Sequence, residues 1–179
     1  MRACAPLIKK PNENQTYMTY RNNGAIGALL DEYEKSVFEL KKVIANISES
    51  ELIQILDNET KDEDCRSIQS ILSHVIRAGN TYVIEIRKWL GESIEYKEKE
   101  ILNSVEKYNL ALDDMFAYTE ELFRDHPSIK LEEYASAKKM KVRWGQRYDV
   151  EQLFEHAIVH ILRHRRQIER FKIKLGTIL

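Results

Sequence analysis

The apolar residues of this chain recur at helical intervals in four long stretches, and no stretch alternates convincingly as a strand would. In the first, Ile26, Leu29, Leu30, Tyr33, Val37, Leu40, Ile44 and Ile47 form one stripe that begins near residue 24. Ser48-Glu-Ser-Glu51 then reads as a capping box for one more short turn of helix. A second helix starts at Ser67 and carries Ile68, Ile71, Leu72, Val75, Ile76, Tyr82, Val83, Ile86 and Leu90 before Gly91 stops it. Gly79 inside this stripe costs about 1 kcal/mol relative to alanine and implies close packing or a kink. A third helix over 101–123 buries Leu102, Val105, Leu112, Met115, Phe116, Thr119 and Leu122. Asp125-His-Pro127 ends it, because a residue before proline avoids the helical region. The last helix, 149–175, has Asp149 as its N-cap and Val150, Leu153, Phe154, Ala157, Ile158, Ile161, Ile168, Phe171 and Leu175 as its stripe.

The connections differ in character. Residues 57–64 form a polar, acidic loop without the glycine and oxygen-ligand spacing of a calcium site, so it reads as a solvated connection. Residues 128–148 are the longest irregular stretch, rich in Lys and Glu, with a short helix expected near 131–138 and Trp144-Gly145 close to the end. A connection this long is more often functional or partner-binding than a tight turn. Residues 1–23 hold two of the three prolines and read as a poorly anchored arm, which leaves 24–179 as the domain. Four stripes without a strand predict an all-α fold, and a four-helix bundle is the architecture that buries them.

Composition narrows the class. A hydrophobic fraction of 43% supports a sizeable core. With 28 basic residues against 29 acidic ones, bulk charge does not favour a polyanion partner. Two local basic clusters, Arg163-His-Arg-Arg166 and Lys138-Lys-Met-Lys-Val-Arg143, come with no nucleic-acid motif and read as solvated faces. Cys4 and Cys65 have no metal-ligand spacing, and so few cysteines fit a reducing compartment. No apolar run approaches the roughly 20 residues of a membrane span, and the first residues lack a signal core. A cytoplasmic protein without a membrane or nucleic-acid partner is expected.

The chemistry lies with the histidines. His156, His160 and His164 are spaced four residues apart on the last helix, so neighbours share a face. Two such neutral imidazoles can chelate one divalent ion; a solvated basic face is the competing reading. Helical angles put His164 roughly 50°, His160 roughly 90° and His156 roughly 130° from the centre of the apolar stripe. His156 therefore points toward solvent. His74 comes out roughly 130° from the centre of its own stripe, a flank position that suits the seam of a bundle without demanding a ligand. The second nitrogen of a ligating ring needs an acceptor to fix its tautomer, and Gln167 and Glu155 are candidates. His126, in the helix-breaking segment, reads as an exposed residue.

Ile68-Gln-Ser-Ile-Leu-Ser-His74-Val-Ile resembles the helix-two histidine segment of the DinB/YfiT-like proteins, and His160-Ile-Leu-Arg-His164-Arg-Arg-Gln167-Ile resembles their C-terminal histidine pair. The order of elements is similar over about 24–171. Arg166 stands where glycine is usual in that family. The resemblance implies a DinB-like bundle of up-down-down-up topology, often a homodimer. It also implies a divalent metal ion, zinc or nickel, held by His74, His160 and His164, while His156 matches no ligand.

Two functions are consistent with this. The resemblance implies a metal-dependent enzyme, a thiol S-transferase using a low-molecular-weight thiol or a hydrolase, acting on a small electrophile. The alternative is a non-catalytic, stress-related helical module that dimerises or binds a partner, with structural or vestigial histidines. It is motivated by the lack of any residue that the sequence marks as a general base.

Overall fold

The structure, a computed structural model, describes residues 20–176. Nearly all of the arm expected at 1–23, and Cys4 with it, lies outside the described residues. The fold is mostly helical. Its elements are α1 (Gly24–Ile44), α2 (Glu49–Ile53), α3 (Ile68–Trp89), α4 (Val105–Asp125), a hairpin of β1 (Met140–Lys141) and β2 (Arg147–Tyr148), and α5 (Val150–Leu175). Single 3-10 turns lie at Glu63–Cys65 and Ser136–Lys138. Among the described residues, no helix is long and apolar enough to cross a membrane.

Every helix but α1 begins where a side chain satisfies some of its free N–H groups. Ser48, Ser67 and Asp149 close capping boxes with Glu51, Ser70 and Gln152 at the starts of α2, α3 and α5. Ser104 caps α4 by accepting the Lys107 N–H, and this cap corrects the expected start at 101. Leu102 is outside the helix because its backbone is used elsewhere: its N–H donates to Tyr108 Oη and its carbonyl accepts from Gln69. Gly91, at φ +95°, follows the end of α3 in a conformation that disfavours side chains.

The apolar stripes meet in one core. α1 packs on α4 and α5, and α3 also packs on both α4 and α5. Tyr33, Leu40, Ile44, Ile71, Leu72, Val83, Ile86, Tyr108, Leu112, Leu153, Phe154 and Ile168 are buried there. Gly79 is a point of close approach rather than a kink. A Cβ at this position would stand 2.2 Å from Met115 Sδ on α4. Ahead of α1, Arg21 is tied to Asp31, Glu34 and Glu120.

Two expectations for the connections are corrected. The helix expected at 131–138 is only the turn Ser136–Lys138, and the following residues form an antiparallel hairpin in which Met140 faces Tyr148 and Lys141 faces Arg147. Its two-residue strands are too short to show an alternating pattern. Met140 and Val142 are plugged into the core, and the buried carboxylate of Glu85 on α3 accepts the Arg143 N–H at 3.1 Å. The hairpin is thus fixed against α3. His126, expected to be exposed, is half-buried at the end of α4 and lies 2.7 Å from Glu92.

Candidate metal centre

α3 and α5 lie side by side, and their caps set the register of the histidines they carry. From α5, His160 and His164 point inward, one helical turn apart, and both are buried. From α3, His74 meets them although it sits on the flank of its own stripe. Nε2 of His160 is 3.0 Å from Nε2 of His74 and 3.2 Å from Nε2 of His164. The donor atoms of the three rings all lie within 4.8 Å of one another.

The outer nitrogens of two of these rings are held. Nδ1–H of His74 donates to Asp64 Oδ2 at 3.0 Å, and Nδ1–H of His164 donates to Gln167 Oε1 at 2.6 Å. Those bonds fix both tautomers, leaving a lone pair on each Nε2. Nε2 of His160 carries at most one proton and faces two acceptors, so it cannot satisfy both. The rings are also kept neutral. Burial, then His164 and His74, push His160 down to about 2. Burial and His74 push His164 down to about 4, against the raising effect of Gln167. Burial lowers His74 as well, opposed by Asp64.

This donor set fits a divalent cation. Nitrogens that share one ion at roughly 2.0–2.1 Å stand about 2.9–3.4 Å apart, octahedral geometry giving the shorter and tetrahedral the longer separation. Three neutral imidazoles from two helices could hold one metal ion, and three protein ligands would leave positions for water or substrate.

Asp64 is the residue that sequence reasoning missed. The acidic loop read as solvated folds back against α3, and the 3-10 turn Glu63–Cys65 brings Asp64 to His74. The carboxylate also pairs with Arg77 at 3.0 Å and with Lys99. Burial raises its pKa, but Lys99, His74 and Arg77 hold it below the usual carboxylate range. An acid ten residues before a histidine has no helical spacing, and no sequence signal pairs them. Gln167 bonds to a ring as anticipated, whereas Glu155 is exposed and hydrogen-bonds to no imidazole.

Above the trio opens a cleft of about 550 Å³, lined by residues of α3, α5 and the hairpin. His156 stands here, half-buried rather than pointing into solvent. Its ring stacks at 27° on Trp144 and meets Tyr82 and Tyr148 edge-on. The hairpin, which no stripe forecast, supplies Trp144 and Tyr148, α3 supplies Tyr82, and together they cover the side of α5 that helical angles assigned to solvent. Arg166 is exposed.

No family model matches the chain, and no curated protein matches it.

Proposed function

We propose that this is a DinB-like protein whose long helices form an up-down-down-up four-helix bundle and hold a divalent ion, zinc or nickel, on His74, His160 and His164. In this reading it is a metal-dependent enzyme that joins a low-molecular-weight thiol to a small electrophile, or hydrolyses such a molecule. The observation that carries the reading is the meeting of three imidazoles from two helices, two of which, His74 and His160, line an open cleft. A bound ion would lower the pKa of coordinated water or thiol and polarise a carbonyl. Asp64 and Gln167 would orient the ligating rings. The walls of the cleft would hold the electrophile, and His156, the cleft imidazole outside the trio, would accept a proton. Formation of a homodimer belongs to the same proposal and is tested by sedimentation.

The test is elemental analysis of protein purified without a histidine tag. About one zinc or nickel ion per chain is expected, with none retained by His74→Ala, His160→Ala or His164→Ala. At a free ion concentration 100 times Kd, binding adds about 2.7 kcal/mol, a rise of roughly 5–11 °C in Tm for a chain of this size. Wild-type protein that retains no stoichiometric ion and takes none up would overturn the reading. One observation favours the non-catalytic alternative: among the described residues, no carboxylate lines the cleft to serve as a general base. Unchanged stability after chelation, without turnover on thiol and electrophile panels, would decide for it.

A further inference from the structure

We propose that the cleft binds a small organic oxyanion with a flat apolar portion, its carboxylate or phosphate held by Arg163 and Arg143 and its flat portion lying against Trp144. This deepens the reading above by naming a substrate class, although the arginine contacts do not require an ion.

The two basic clusters singled out in the sequence come from distant parts of the chain, and one arginine from each lines this cleft. Arg163 reaches it from α5 and Arg143 from the hairpin, while Arg77 adds a third guanidinium from α3. Among the described residues, no Asp or Glu lines it. Arg77 is committed to Asp64 at 3.0 Å. Arg163 is different: among the described residues no carboxylate lies within 4.0 Å of it, and its Nη2 stands 3.5 Å from Nε2 of His164. An anion on Arg163 would therefore sit beside the converging imidazoles. The Arg143 guanidinium rests on the face of Tyr96, 4.3 Å from the ring centroid, and its side chain makes no hydrogen bond among the described residues. Stacking holds a guanidinium in place while leaving its N–H groups in the ring plane for an oxyanion.

The rest of the wall selects for shape. Trp144 stacks on His156 and meets Tyr82 edge-on at 5.9 Å, so that side presents ring surface. The anchoring of Met140, Val142 and the Arg143 N–H makes this wall a fixed feature, set before any ligand arrives. A cleft of about 550 Å³ suits a small molecule. A nucleic acid would need an extended basic track, and the chain has a net charge of −1.

The experiment uses the full chain with Trp89→Phe, which leaves Trp144 as the only tryptophan. Benzoate, phenyl phosphate and the neutral benzamide are titrated against its fluorescence, in chelator-stripped and zinc-loaded protein. Benzoate or phenyl phosphate should change Trp144 emission saturably in both forms and bind at least about tenfold more tightly than benzamide. Arg163→Gln should weaken the anion about tenfold without lowering Tm, since this side chain is exposed, and Arg143→Gln added to it should abolish the preference. Equal binding of benzamide and both anions would overturn the proposal, as would anion binding unchanged in the double variant. Anion binding seen only with zinc and indifferent to the arginines would also overturn it while sustaining the metal reading. Arginine-dependent binding to protein that takes up no zinc would sustain the proposal alone.

Discussion

Asp64 is the sharpest place to perturb the centre, because its carboxylate touches no proposed open position and acts on the trio only through His74. In Asp64→Ala, Nδ1 of His74 loses its acceptor at 3.0 Å, and Arg77 and Lys99 lose their shared partner. Two consequences follow for a bound ion. The ring of His74 is free to turn and to carry its proton on Nε2, which removes the lone pair directed at Nε2 of His160. One negative charge also disappears beside a divalent cation. Acceptors that orient ligating imidazoles are typically worth 10–100-fold in metal affinity, about 1.4–2.8 kcal/mol. A value in the lower half of that range is expected here. Asp64 is partly exposed and shared among Arg77, Lys99 and the neutral ring of His74, and His160 and His164, joined through α5, keep their own geometry. The assay is competition for zinc against a chromophoric chelator at neutral pH, beside melts of the stripped protein. Asp64→Ala should raise the zinc Kd about 10–30-fold, more than it would rise in Lys99→Met, which spares the Asp64–His74 bond. A zinc Kd for Asp64→Ala within threefold of wild type would refute this account and leave Asp64 as a clamp on its loop. An equal rise in Lys99→Met would refute it as well.

Two further substitutions test how the frame holds the centre. Gly79→Ala adds a Cβ 2.2 Å from the buried Met115 Sδ; overpacking costs about 1–3 kcal/mol and better helix propensity returns about 1 kcal/mol, so chemical denaturation should show a net loss of up to about 2 kcal/mol. A variant more stable than wild type would show that α3 and α4 can separate at no cost. Asp149→Ala removes the cap of α5 and the partner of Lys139, and should cost about 2 kcal/mol at neutral pH. Burial raises the Asp149 carboxyl, but Lys139 and the Gln152 N–H hold it below its usual range. Its contribution is therefore complete above the unfolded pKa, about 3.9, and lost as pH falls through the folded value. The gap between wild type and Asp149→Ala should close in acid melts, and a gap that widened there would reverse the sign of the reasoning.

What could be read from the sequence divides along a physical line. The starts of α3 and α5 were legible because caps are local: Ser67 and Asp149 each meet a partner three residues on, within one turn, whereas the start of α4 at Ser104 was missed. The core was legible because a period of 3.6 repeats the same face. The flank of α3 was not legible, and the centre lies there. Helical angles measure distance from an apolar stripe, so they place His74 on a flank without saying what covers it. The flank bearing His74 is covered by polar groups, with Asp64 and Arg77 at its edge and His160 across the seam. Likewise the side of α5 bearing His156 is covered by rings from a hairpin whose strands are too short for any periodicity. Burial by polar and aromatic partners arises from chain reversals, and the pattern of one helix does not encode what a distant loop lays over it. The same limit hid the meeting of Arg143 and Arg163, since each belongs to a run that looks like a solvated face until the hairpin folds back. In such a fold, polar residues misassigned to solvent by their angle are the ones that chain reversals can gather into a site. The meeting of His156, Arg143 and Arg163 in one cleft is that effect in this chain.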